Sequence, residues 1–146
     1  MPAQPKPHRS TTQPANWSIE QLPGMRTQEQ SLLEGLGIIT TNQLLKVASS
    51  PQSKQVLANQ LQVKIQYVNK WVALADLARI PSIGCQYCGL LLHAGIVSVA
   101  QLAQTSTHRL HQQILRLQVA TIQRRDLCPG VEEIAIWIKQ ARELAI

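Results

Sequence analysis

The sequence predicts an all-α fold in which one short helical unit is used twice and packed as one compact helical domain. Three observations carry that expectation. The first is a duplication. Leu22-Pro23-Gly24-Met25, then Leu32-Leu33, then Gly37-Ile38-Ile39-Thr40-Thr41-Asn42-Gln43-Leu44 form the first copy. Ile80-Pro81-Ser82-Ile83, Leu90-Leu91 and Gly95-Ile96-Val97-Ser98-Val99-Ala100-Gln101-Leu102 repeat it, each 58 residues further on. A period of this kind marks a supersecondary unit that buries its apolar face against its own copy. The second is a pair of helix-start signals at equivalent positions, Thr40 with Gln43 and Ser98 with Gln101. Each pairs a hydroxyl and an amide with the free N–H groups of a helix N-terminus. The third is composition: 45% of the 146 residues are apolar, yet aromatics are 3% and phenylalanine is absent. An aliphatic core rich in Leu and Ala favours helices. The unit reads as helix–hairpin–helix, of the SAM-like kind.

Taken in order, residues 1–16 hold Pro2, Pro5, Pro7 and Pro14 among Gln, Ser and Thr. Such a stretch has too little apolar surface to offset its ordering entropy, so a disordered tail is expected. Two repeats follow, over residues 17–79 and 80–146. Ser18 is expected to cap a short first turn ending at Pro23-Gly24. A helix from about Thr27 to Leu36 then turns Leu32, Leu33 and Leu36 inward, and Gly37 ends it in a left-handed cap. Each repeat closes with a longer amphipathic helix. Val68, Trp71, Val72 and Ala75 follow the i, i+3, i+4, i+7 pattern, and so do Ile134, Trp137, Ile138 and Ala141. Both tryptophans are expected in the core, with the two helices docking the halves together. Trp71 and Trp137 lie 66 residues apart, so the second copy has gained eight residues, around Arg124 to Val131.

Charge narrows the function classes. The net charge is +6. Residues 17–76 carry five basic and four acidic groups, whereas Leu77 to Arg125 carries no acid. That second stretch holds Arg79, Arg109, Arg116, Arg124 and Arg125, with His93, His108 and His111. Such a field favours polyanions, although a solubility surface has the same composition. No apolar run approaches the roughly 20 residues of a membrane span. With three cysteines and no secretory leader evident, a reducing cytoplasm is the expected compartment.

The hairpins are the first candidate site. A phosphate-binding hairpin has the pattern Pro-Gly-apolar-Gly, which brings helix-start amides up to a phosphate oxygen. The first hairpin keeps Gly24 and has Arg26 in the second glycine position. The second keeps Gly84 and has Ser82 in the first. Arg26 offers charge and Ser82 a hydroxyl; equally, such hairpins are purely structural. Cys85-Gln86-Tyr87-Cys88 is the second candidate. Cys85 is expected near a helix N-terminus, where a thiolate is stabilised. A zinc site would need Cys128 and a histidine to converge with the pair. The simpler reading is two small, mostly buried helix residues, and neither metal nor cofactor is expected. His108 and His111 flank Arg109 on one helical face, as a solvated basic surface would. The scattered acids form no catalytic constellation, and no nucleotide-binding glycine loop is present, so an enzyme is not expected.

From Trp17 to Leu144 the chain resembles the family known as domain of unknown function 4332. The resemblance rests on Ile80-Pro81-Ser82-Ile83-Gly84, Leu90-Leu91-Leu92-His93-Ala94-Gly95-Ile96, Ser98-Val99-Ala100-Gln101-Leu102 and Glu132 to Ala141. Lys70-Trp71-Val72-Ala73-Leu74-Ala75-Asp76-Leu77 resembles cyanobacterial members. The resemblance implies a helical fold related to DNA-repair helix–hairpin–helix modules and brings no established activity.

Two functions are therefore expected at comparable weight. One is a non-catalytic module that binds the DNA or RNA backbone without sequence preference. Gly24, Arg26, Ser82 and Gly84 would face phosphate there, within the field of Arg79, Arg109, Arg116, Arg124 and Arg125. The other is a protein-interaction scaffold whose hairpins are structural.

Overall fold

The computed structural model describes residues 12–121 and 129–145, with side chains omitted from 118 to 121. Among the described residues it is all-helical. A 3₁₀ turn, Ile19–Gln21, precedes α1 (Thr27–Gly35), α2 (Thr41–Val47), α3 (Pro51–Leu61) and α4 (Ile65–Ala78). Then come α5 (Gly84–His93), α6 (Val99–Ala103), α7 (Thr107–Thr121) and α8 (Val131–Ala145).

The helix ends follow from local hydrogen bonding. At the end of α1, Gly37 N donates to Glu34 O (3.0 Å) and Ile38 N to Leu33 O (2.9 Å). At the end of α5, Gly95 N donates to Leu92 O (3.0 Å) and Ile96 N to Leu91 O (2.9 Å). Both are Schellman closures, with the glycines at φ +82° and +97°. The apolar residues that bracket them, Leu33 with Ile38 and Leu91 with Ile96, are buried.

The two N-caps differ. Thr40 and Gln43 form a reciprocal box: Gln43 N donates to Thr40 Oγ1 and Thr40 N to Gln43 Oε1. Ser98 accepts from Gln101 N, but the Gln101 side chain reaches back to Val97 N (2.8 Å) and to Gly95 O (3.0 Å). Only the first of the two expected boxes is complete. Ser18 makes no side-chain cap and instead bridges Thr40 through the backbone.

Helix α3 lies outside the expected elements, and α7 holds the helical face expected for His108, Arg109 and His111. α3 carries its own start signal: Ser50 Oγ accepts from Ser53 N (3.1 Å), Ser50 N donates to Ser53 Oγ (2.9 Å), and Pro51 opens the helix. α7 has 15 residues against 11 in α3, so the second half is longer at this helix. Of the expected insertion around Arg124 to Val131, residues 124–128 lie outside the described ones.

Trp71 and Trp137 are both fully buried core anchors, as are Val68, Ala75, Ile134, Ile138 and Ala141. Their helices do not dock the halves on each other, however. α4 packs mainly on α2, α3 and α5, and α8 mainly on α6 and α7. The joint between the halves is α4 against α5. A helix that already covers its own half has only its remaining face left for the other. The inward face expected of α1 is also narrower: Leu33 is buried, whereas Leu32 and Leu36 are 47% and 46% exposed. α1 has just the 3₁₀ turn as a substantial neighbour, so a single stripe suffices to hold it.

Residues 12–16, which fall within the expected tail, contact the helices. Thr12 donates to the Glu143 carboxylate on α8. Ala15 N donates to Arg79 O (2.8 Å), and Asn16 Oδ1 accepts from Asn42 N (3.1 Å). Residues 12–18 thus form a strap across both halves. Residues 1–11 lie outside the described ones.

Candidate functional site

The first hairpin positions Gly24 and Arg26 ahead of α1. Gly24 is exposed at φ +75°, and a Cβ there would lie 3.1 Å from Lys70 Nζ on α4. The carboxylate of Glu29, itself 4% exposed, turns back onto this hairpin. Its Oε1 accepts from Arg26 N (2.9 Å) and its Oε2 from Arg26 Nη2 (3.2 Å). An internal acid therefore already engages the amide and guanidinium expected to meet phosphate. The Arg26 side chain remains 72% exposed.

The second hairpin is closed differently. Gly84 is buried at φ +54°, and a Cβ there would lie 2.9 Å from Trp17 Cζ2. Trp17 is fixed by its Nε1, which donates to Ala78 O (2.8 Å). The close approach that glycine permits is thus used by the strap's own indole. Ser82 N donates to Gln140 Oε1 (3.2 Å) on α8. Both hairpins meet partners from within the chain.

The arginines separate into three groups. Arg79 is paired, Nε to Asp76 Oδ1 at 2.7 Å, while Asp76 Oδ2 accepts from Val99 N (2.8 Å) at the start of α6. Arg109 and Arg116 stand exposed on α7, alongside exposed His108 and half-buried His111. Arg124 and Arg125 lie outside the described residues.

Cys85 is half-buried and Cys88 fully buried, on the first turns of α5. The thiolate expected of Cys85 is not favoured, because burial pushes its pKa up. Cys88 is pushed up to about 12, chiefly by burial and then by Cys85 beside it. Desolvation here outweighs the helix N-terminus. Among the described residues, no three His, Cys, Asp or Glu side chains gather as metal ligands. Cys128 lies outside them.

One feature was not legible in any motif. A groove of about 720 Å³ opens between the halves, walled by α2, α3 and α4 on one side and by the end of α5 and the start of α6 on the other. Lys54 and Lys70 line it, as do Leu45, Val72, Leu92 and Val97. Its lysines come from residues 17–76, where charge is nearly balanced. Charge counting along the chain misses them because α3 and α4 bring residues 16 apart to one surface.

No described helix is long and apolar enough to cross a membrane. No curated protein and no solved structure matches the chain. One family model does, over residues 23–144: Domain of unknown function (DUF4332). That span starts at the first hairpin and runs to the last turn of α8, so the chain belongs to this family.

Proposed function

We propose that the chain is a non-catalytic protein-interaction scaffold, built from two equivalent units over residues 17–79 and 80–146, whose hairpins are structural. One observation carries the reading: each hairpin is engaged from inside the chain, the first by the Glu29 carboxylate and the second by the Trp17 indole. A turn whose close-approach position is already filled has lost the feature that suits it to a phosphate oxygen. The paired Schellman closures and the parallel packing of α4 on α2 and α3, and α8 on α6 and α7, support the two-unit reading. Leu32, Leu36 and Ile39, each about half exposed, supply apolar surface on the first unit.

The test is affinity purification from native cells with and without nuclease. The scaffold reading expects the same protein partner in both eluates; a partner that vanishes with nuclease overturns it.

Exposed Arg109 and Arg116 favour a second reading, sequence-independent binding of the DNA or RNA backbone along α7. It expects affinity for duplex DNA to fall with salt at a log–log slope of about −0.9 per phosphate neutralised. Arg109→Ala with Arg116→Ala should make that slope shallower. No binding at low salt removes the reading.

A further inference from the structure

We propose that the groove between the halves is a docking site for an acidic, amphipathic peptide segment of a partner protein. The inference rests on the scaffold reading and names the kind of partner it would take. About 720 Å³ lies within the roughly 300–1,000 Å³ typical of ligand clefts. The walls offer two chemistries at once. Half-buried Leu45, Val72 and Leu92, with Val97 at 53% exposure, give an apolar floor. Lys54 and Lys70 add positive charge to the same lining, with Lys70 Nζ beside Gly24 of the first hairpin.

That charge is not spent inside the protein. The ion pairs among the described residues are Arg26–Glu29 and Arg79–Asp76, so neither lysine has a carboxylate partner there. Asp76, the acid of the groove, is committed to Arg79 and to Val99 N. The occupant must therefore supply negative charge together with apolar side chains.

A sugar–phosphate backbone fits less well. Among the described residues lining the groove none is aromatic, so bases find no stacking platform, and the apolar floor would face phosphates. The chain's own N-terminal stretch fits less well still. Residues 1–16 carry Lys6 and Arg9 and no acid, and Lys54 and Lys70 repel them. An amphipathic segment with Glu or Asp beside Leu or Val satisfies both wall chemistries, with the long lysine stems covering apolar contacts and their ammonium groups meeting carboxylates.

The experiment uses the full chain and fluorescence anisotropy with a short labelled peptide of Glu and Leu in amphipathic order. The same peptide with Lys for Glu and a labelled single-stranded oligonucleotide serve as comparisons. The acidic peptide should bind, and Lys54→Glu with Lys70→Glu should weaken it at least about tenfold, as reversal of two solvent-facing ion pairs implies. Circular dichroism should show the double variant folded. Val97→Asp, at the floor's most exposed position, should weaken the same peptide and guards against a misfolded double variant.

No binding of the acidic peptide, or equal binding by the double variant, overturns the proposal. So does equal binding of the basic peptide, or displacement of the acidic one by the oligonucleotide. Concentration-dependent self-association that the double variant abolishes would assign the groove to a second copy and also overturn it. If the double variant still recovers the nuclease-resistant partner as well as the wild-type chain does, the groove proposal fails while the scaffold reading stands.

Discussion

The two hairpins reach similar turns by different closures. In the first, a positive-φ glycine stays exposed, and the closing group is the buried carboxylate of Glu29, three residues past Arg26 in the first turn of α1. In the second, the positive-φ glycine is buried beneath an indole contributed from 67 positions upstream. The helix starts that follow differ in the same way. Around α2, Thr41 N donates to Trp17 O (2.8 Å) and Asn42 N to the Asn16 amide. At the equivalent point of α6, Val99 N donates to the Asp76 carboxylate. The two halves share local geometry at these turns but differ in their long-range partners. The start of α2 is met by the strap, whereas the start of α6 is met by a side chain of α4. The turn is a shared framework, closed in the first case by a residue that follows it and in the second by one far upstream.

The largest expected effect tests whether the halves are equally anchored. Trp71→Ala and Trp137→Ala should each cost about 3–5 kcal/mol in urea unfolding, as loss of a buried tryptophan implies. Costs that differ by more than about 2 kcal/mol would break the equivalence of the two cores, since site-to-site spread at fixed chemistry is of that size.

The hairpins themselves come next. Gly84→Ala should destabilise by about 2–4 kcal/mol, combining a left-handed backbone with overpacking against the Trp17 ring. Gly24→Ala meets only the mobile end of Lys70 and should cost about 1–2 kcal/mol, the backbone term alone. Thermal or urea melts that rank Gly24 above Gly84 would show that the indole does not close the second turn.

The helix starts give a smaller contrast. Asp76→Ala removes both the Val99 N acceptor and the Arg79 partner and should cost about 1–2 kcal/mol; Asn16→Ala should cost about 1 kcal/mol. Equal losses, measured in the same melts, would mean that the carboxylate adds nothing beyond the amide.

The smallest effect concerns the thiols. Cys88 titrates near 9.0 as an ordinary thiol and at about 12 in the fold, so the neutral thiol is the form that folding favours. Its contribution is complete below the unfolded value and is lost as pH rises from there through about 12. The urea midpoint should therefore decline above pH 9, and Cys88→Ala should flatten that decline. At pH 8 both thiols should alkylate more slowly in the folded chain than in urea, with half-buried Cys85 reacting before Cys88.

Much of the fold was legible because its signals are short-range. The Schellman glycines, the Thr40–Gln43 box and the tryptophan stripes each involve residues within about two helical turns. Ser50-Pro51 was equally readable as the start of α3. The outward turn of Leu32 and Leu36 was not, because an apolar pattern does not say whether a neighbour exists to cover it. The candidate site was legible only in part. The glycines and their replacements stood out, but Glu29 and Trp17, which close the turns, belong to no hairpin pattern.

By itself the sequence determined that the chain is helical, where most of its helices end, and that a turn with a left-handed glycine occurs in both halves. These depend on backbone N–H and C=O groups finding partners a few residues away. Only the tertiary structure decided that the strap covers the second hairpin, that α4 joins the halves through α5, and that Lys54 and Lys70 share one groove. Those outcomes turn on contacts such as Trp17 to Ala78, 61 residues apart, and Thr12 to Glu143, 131 apart. Local propensity carries no information about which surfaces meet across such distances, because burial of the whole aliphatic core selects them together.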